Sequence, residues 1–292
     1  MRIVVTGARG FLGGHAVTHL RGQGYDVLPL GRGDDGALRR LEGPDGPGPA
    51  LPELLAGADA VVHLAARSVD SLATPLASYL PANVALTEDL VRAAVDAGVG
   101  RFVLASSRLV YPGHLRGPIR EDDPEGPDTF YGLSKRMGED VLALYARTAG
   151  ISTVALRIAQ VVGPGDGGRG ALPRLAGQGL TGGPVTVSGK GAVVRDFVDV
   201  RDVASALELA ATRPDLPNPL VANIGTGGFS VAEMAREVAA QCGLGEDAVV
   251  FAPVEREDTS EYRLDTTRAR DLLGWTASYG LSEMVRERVA HG

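Results

Sequence analysis

The stretch Arg2-Ile-Val-Val-Thr-Gly-Ala-Arg-Gly-Phe-Leu-Gly13 opens the chain with a β-branched apolar run that breaks into three glycines within seven residues. Ile3 to Val5 read as a buried strand, and the apolar spacing from Leu12 to Arg21 reads as a helix, so the glycines stand in a strand-to-helix turn. Gly7 permits a tight turn, Gly10 a close approach to a pyrophosphate, and Gly13 close packing of helix on strand, with the phosphates over the positive helix end. Read this way, Gly7, Arg9, Gly10, Phe11, Leu12 and Gly13 form one wall of a dinucleotide site.

Further strand-like runs follow at Val27 to Leu30, Ala60 to Leu64, Phe102 to Ala105 and Thr153 to Leu156. Helical spacing fills Ala82 to Ala97 and Gly132 to Arg147. Such alternation predicts an α/β protein of Rossmann type, a doubly wound parallel sheet covered by helices on both faces, with ligands beyond the carboxyl ends of the strands. Gly31 to Pro52 breaks the rhythm, because Gly-Pro-Asp-Gly-Pro-Gly-Pro at 43 to 49 can neither continue a helix nor pair as a central strand, and it reads as a loop. After about residue 160 short elements are punctuated by glycine and proline. The expected division is a dinucleotide-binding domain over 1–160, to which later segments return, and a smaller, mainly substrate-binding lobe over 161–292.

Composition narrows the function classes. Lys and Arg number 29 against 36 Asp and Glu, a formal charge of −7, so the molecule as a whole repels nucleic acid and acidic membranes. An anionic ligand must be gripped by local arginines. The single cysteine excludes an internal disulfide and a cysteine-rich zinc site. Of five histidines only His15 and His19 share a helical spacing, and with no third ligand in view no metal is expected. No apolar run approaches the roughly 20 residues of a membrane span, and no leader is evident, so a cytoplasmic protein is expected.

Cofactor choice turns on the end of the second strand, Leu30-Gly31-Arg32. An NAD site usually carries an acid here to accept from the ribose 2′-hydroxyl, and Gly31 cannot. Arg32 and Arg9 can surround a 2′-phosphate, which favours NADP over NAD.

Two further patterns carry chemistry. Tyr131-Gly-Leu-Ser-Lys135 places a phenol and an ammonium on one helix face, where the ammonium and the nicotinamide's charge would together favour the phenolate. Phe102-Val-Leu-Ala-Ser-Ser-Arg-Leu-Val-Tyr111 leaves Ser106 and Ser107 at a strand's carboxyl end. His63, inside Val-Val-His-Leu-Ala-Ala66, reads as buried packing.

With the glycine turn, Asp59-Ala-Val-Val-His-Leu-Ala-Ala66, Ser107 and Tyr131/Lys135 in this order, the chain resembles the extended short-chain dehydrogenases/reductases, in their NAD(P)-dependent epimerase/dehydratase branch acting on nucleotide sugars. Asn83 with Thr87, Arg157, Gly163-Pro164, Arg195-Asp-Phe-Val-Asp-Val-Arg-Asp-Val203, Asn223-Ile-Gly-Thr-Gly227 and Leu273-Gly-Trp275 extend the resemblance over nearly the whole chain. It implies that Tyr131 is the acid/base, Lys135 its modulator and a ribose ligand, and Ser107 the hydroxyl that positions the substrate oxygen. It implies that Leu64, Ala65, Ala66 and Asn83 serve the cofactor, while Gln160, Arg195 and Arg256 face the nucleotide sugar, Arg195 on its diphosphate. A homodimer is implied as well.

The reaction is narrowed by a departure. Dehydratases of this family carry an Asp-Glu pair directly after the active-site hydroxyl, and here Arg108-Leu109 follow Ser107. That leaves NADPH-dependent ketoreduction of a keto-deoxysugar nucleotide, favoured by the basic cofactor edge, or C4 epimerisation with tightly bound NAD. A cofactor sensor without catalysis is disfavoured, because it has no use for Ser107, Tyr131 and Lys135.

Overall fold

Strand β1 (Arg2–Thr6) is hydrogen-bonded on both sides. β2 (Asp26–Leu30) runs parallel to it along one edge, β3 (Ala60–His63) along the other. Alternate residues of β1 enter different cores. Ile3 and Val5 pack with Ala16 and Leu20 of α1 (Phe11–Gly22), whereas Val4 packs with Leu90 and Val91 of α3 (Leu86–Asp96). Both faces of the sheet are thus covered, and for that reason the run at 3 to 5 is continuously apolar instead of alternating. The computed structural model describes residues 1–31, 51–69, 71, 73–168 and 170–291.

Beyond β3 the sheet continues through β4 (Arg101–Ser107), β5 (Ser152–Ile158) and β6 (Leu220–Ile224), giving the order β6-β5-β4-β3-β1-β2 with every neighbour parallel. From β1 the chain first builds outward to β2 and then to β3 on the other side. The carboxyl ends of β1 and β3 therefore flank the crevice at which such sheets take ligands. Pro29, which has no amide to donate, is tolerated in β2 because that strand ends the described sheet.

Helix α4 (Phe130–Ala149) packs with α3 on one face, while α1 and α6 (Val200–Thr212) cover the other. Thr129 caps α4, its hydroxyl accepting from the Gly132 amide at 3.0 Å. A third apolar cluster joins α5 (Ala171–Leu180), α7 (Val231–Gln241) and α8 (Leu281–His291) to the strand Val185–Ser188.

The sequence reading needs adjustment in two places. Pro52 is not in a loop: it is the second residue of α2 (Leu51–Leu55), a first-turn position where its missing amide costs nothing. The proline-rich stretch from 32 to 50, with Arg32, lies outside the described residues. The helix expected from Ala82 begins as one wider turn, Pro81–Ala85, before α3 proper.

Candidate active site

Gly7 leaves β1 with φ at +71°, in the left-handed region that glycine enters freely. A Cβ there would stand 2.6 Å from the Ala65 amide nitrogen, and one on Gly13 would stand 2.1 Å from the Gly7 carbonyl oxygen. No side chain fits at either position. Gly10 caps α1 with no side-chain hydrogen bond, and the first turn holds no acid, so the positive helix end is open to an anion. A cleft of about 610 Å³ lies in front of it, bounded by Gly7, Arg9, Gly10 and Gly31 on one side and by Leu64, Ala65, Ala66 and Arg67 on the other. Such a cradle fits the pyrophosphate of a dinucleotide. Phe11 turns from the cleft to meet His15 edge-on at 5.5 Å, and Leu12 packs on the core.

One polar chain fastens this cleft to the catalytic helix. Thr6 Oγ1 accepts from the amides of Leu64 and Ala65, both at 3.2 Å, and lies 2.7 Å from His63 Nδ1. Thr87 Oγ1 sits 3.1 Å from His63 Nε2 and donates to the Asn83 carbonyl at 3.0 Å. Because Thr87 spends its proton on that carbonyl, His63 donates from Nε2 and accepts at Nδ1. Burial, with Lys135 adding to it, holds His63 down at about 3, so the ring is neutral. Asn83, 2% exposed, continues the chain: Oδ1 accepts from the Arg67 amide at 2.7 Å, and Nδ2 donates to the Arg67 carbonyl at 3.1 Å and to Ser134 Oγ at 2.9 Å. Asn83 thus sits behind the cleft wall and positions it.

Tyr131 reaches Ser107 because α4 presses close to the turn after β4. A Cβ on Gly132 would lie 2.0 Å from the Leu109 carbonyl oxygen. Ser107 lies close enough to the Tyr131 hydroxyl to pull on its proton affinity, and Lys135 Nζ lies 5.9 Å from the Tyr131 ring centroid, donating to the Ala105 carbonyl at 2.9 Å. Burial of its hydroxyl end pushes Tyr131 up to about 12, against the pull of Ser107 and with Tyr79 adding to the rise. The sequence reading has the ammonium and the nicotinamide's charge together favour the phenolate. In the protein alone burial wins, and the lysine is anchored to β4 instead of the phenol. Lys135 itself is brought down to about 8 by burial, with Glu139 opposing.

Of the two serines ending β4, only one is available. Ser106 Oγ donates to Glu139, which also holds Arg157 at 2.7 Å; Glu125 pairs with the same guanidinium. Arg157 is thereby a buried structural cation, and Ser107 is the serine that meets the tyrosine.

Downstream, the strand Gln160–Val162 pairs with Phe197–Asp199, which brings Gln160 beside the Arg195-Asp196 segment; its amide donates to the Asp196 carbonyl at 3.2 Å. Arg195 makes none of the ion pairs available within its own motif. Its guanidinium donates to Ser260 Oγ at 2.8 Å and lies 3.6 Å from Asp258, while Asp199 pairs with Arg201. Arg256 is exposed in the segment after the strand Val249–Ala252. Among the described residues no group of three or more His, Cys, Asp or Glu could hold a metal, and no helix is long and apolar enough to cross a membrane.

Sequence reasoning missed Tyr79, buried and edge-on to Tyr131 with ring centroids 5.9 Å apart. It also missed Arg67 in the cleft wall and the contacts of Thr6 and Thr87 with the two ring nitrogens of His63. The Thr87 to Asn83 spacing, four residues on a helix, was the one available signal.

Residues 3–225 match the NAD dependent epimerase/dehydratase family, and the chain belongs to that family. Its enzymes are nucleotide-sugar epimerases and dehydratases of the short-chain dehydrogenase/reductase type, and this chain is an enzyme of that type. The chain is 31% identical to a UDP-glucose 4-epimerase of Lactobacillus helveticus, over 94% of its length and 92% of the relative's. It is 29% identical to a dTDP-glucose 4,6-dehydratase of Streptomyces niveus, over 99% and 92%. Among solved structures it is similar to MoeE5, determined with NAD and either UDP-glucose or UDP-glucuronic acid, at 36% identity and a TM-score of 0.83, covering 99% of this chain and 98% of that one.

Proposed function

We propose that the protein interconverts nucleotide sugars epimeric at C4, using a retained nicotinamide dinucleotide. The observation that carries this reading is the placement of Tyr131 beside both Ser107 and Lys135, with Arg108 and Leu109 following Ser107 in the chain. One phenol and one hydroxyl suffice to take and return the proton of a secondary alcohol, whereas elimination of water demands a further acid and base. Arg108 and Leu109 can be neither.

The dinucleotide, held along Gly7, Gly10, Leu64 and Ala65, supplies the hydride acceptor and donor. Tyr131 takes the proton of the 4-hydroxyl as that carbon becomes a ketone and returns it as the carbon is reduced from the opposite face. Ser107 holds the oxygen throughout, and the Lys135 charge steadies the phenolate. Arg195, with Gln160 nearby and Arg256 beyond, grips the diphosphate, so the segments after residue 160 supply most of the substrate side. Similarity to UDP-glucose 4-epimerases over nearly the full length supports this reading.

Ketoreduction with NADPH is the second reading. It is favoured by Arg9 lining the cleft next to Gly31, where no acid closes β2. Releasing and identifying the bound dinucleotide, then incubating the protein with UDP- and dTDP-sugars, separates the two. Epimerisation predicts sugar interconversion with no net change at the reduced-nicotinamide absorption band. Stoichiometric loss of NADPH with a keto-sugar would replace it with the reductase.

A further inference from the structure

Arg108 opens the one-turn helix Arg108–Val110 directly after Ser107. Its guanidinium carbon lies 4.4 Å from the centroid of the Tyr262 ring, and that ring is fixed by its hydroxyl donating to the carbonyls of Tyr111 at 3.1 Å and Arg108 at 3.3 Å. The side chain is therefore held in place and largely withdrawn from water. Among the described residues no carboxylate lies within ion-pair distance of it. The acid whose charge reaches it, Asp196, spends both oxygens on the amides of Leu264 and Thr226, each at 2.8 Å.

Its other charged neighbour has the wrong sign. Burial lowers the Arg108 guanidinium, Tyr262 opposes this, and the nearby Arg195 lowers it further. Enclosing a cation near a second cation, with no carboxylate at ion-pair distance, is costly. Elsewhere this chain avoids that cost, since buried Arg157 is held by Glu139 and Glu125. Arg195 has Asp258 at 3.6 Å, whereas Arg108 has no such partner among the described residues, and an acidic chain that encloses this guanidinium directly after Ser107 has built a place for an anion from outside.

Position decides which anion. Arg108 follows Ser107, assigned above to the reacting sugar oxygen, and lies within reach of the charge of Arg195, assigned above to the diphosphate. With the diphosphate already claimed, the charge left for Arg108 must lie on the sugar. We propose that Arg108 reads a carboxylate on the hexose ring, so that the substrate is a nucleotide-linked uronic acid. This assignment rests on the hydride chemistry proposed above and names its substrate class.

The test is calorimetric binding to the NAD-loaded protein of glucose and glucuronic acid, each as its UDP and its dTDP derivative. In whichever nucleotide series binds, wild type is expected to hold the uronic acid about 10- to 100-fold more tightly, the range of one charge-assisted hydrogen-bonded pair. Arg108→Met should shrink that preference to within about threefold, and Arg108→Lys, which keeps the charge without the fork, should fall between. A wild type that prefers the glucose form, or shows no preference, overturns the proposal without need of any variant. An Arg108→Met protein that melts normally and loses both ligands equally also overturns it, placing Arg108 on the diphosphate. Turnover is scored separately. A uronate preference without epimerisation would end the C4 reading and leave Arg108 assigned, whereas epimerisation of the glucose form with no uronate preference would end only this assignment.

Discussion

Lys135 Nζ donates to the main-chain carbonyl of Ala105 at 2.9 Å, two residues before Ser107 on β4. The ammonium is thereby tied to the strand that carries the substrate-positioning serine, and its position relative to Tyr131 is set by packing of α4 on β4. Tyr131→Phe removes the proton carrier and leaves this packing intact, so turnover should fall by about 10²- to 10⁴-fold with dinucleotide affinity nearly retained. Stopped-time assays of sugar conversion beside fluorescence titration of the cofactor check both halves. Retained turnover in this variant would remove the phenol from the mechanism.

The same lysine carries a pH signature. Burial brings it from its ordinary 10.5 to about 8, so between those values the unfolded chain binds a proton that the folded protein does not. Stability contributed by this group therefore rises with pH across that window, and the cost of the buried charge is fully felt below pH 8. Relative to Lys135→Met, the cofactor-free wild type should gain stability as pH goes from 8 to 10.5. Urea midpoints of the two proteins across that range measure it; parallel curves would contradict the burial argument.

Gly13→Ala places a methyl 2.1 Å from the Gly7 carbonyl oxygen, and backbone on both sides leaves nothing flexible to yield. Overpacking of this kind costs about 1–3 kcal/mol, and the displaced turn should lose its cofactor as well. Thermal melts with and without added NAD should show a lower midpoint and a smaller upward shift on ligand addition. Gly14→Ala, whose Cβ would meet only the Ala8 carbonyl at 3.9 Å, is the matched control and should behave as wild type.

His63 gives the opposite limb of the pH curve. Its folded value is about 3 against an ordinary 6.5, so as pH falls below 6.5 the unfolded state takes up a proton that the native state refuses. The protein should lose up to about 1.4 kcal/mol per pH unit from this group as pH falls from 6.5 towards 3. His63→Gln should be less stable at neutral pH, because Thr6 and Thr87 lose a partner shaped to both, yet its stability should decline less steeply in acid. Chemical denaturation at two pH values on either side of 6 distinguishes the slopes.

How much of this was readable beforehand follows from the range of the interactions. The glycine turn and the Tyr-x-x-x-Lys pair are legible because their geometry is set within one or two helical turns of chain, where spacing alone decides who faces whom. The Ser107 end of β4 was legible for the same reason. Nothing local announces that Ser106 is consumed by Glu139, 33 residues on, or that Tyr79 would press against Tyr131. The burial of the phenol is not legible either, because proximity in sequence to a lysine says nothing of how deeply both are buried, and in the cofactor-free protein burial outweighs the ammonium. The pairing of Arg195 with Asp258 was hidden likewise, since three acids stand closer to it along the chain.

Strand β6 comes from the downstream half of the chain yet seals the outer edge of β5 in the large sheet, and its Asn223 receives the Tyr111 hydroxyl at 2.8 Å and donates to the Ile119 carbonyl at 2.9 Å. A fragment ending near residue 160 would leave β5 as a bare, sticky rim and strip the support from the segment that follows Ser107. Engineers who wish to swap substrate preference by transplanting the back half must therefore graft around Leu220–Ile224, keeping that strand with the host.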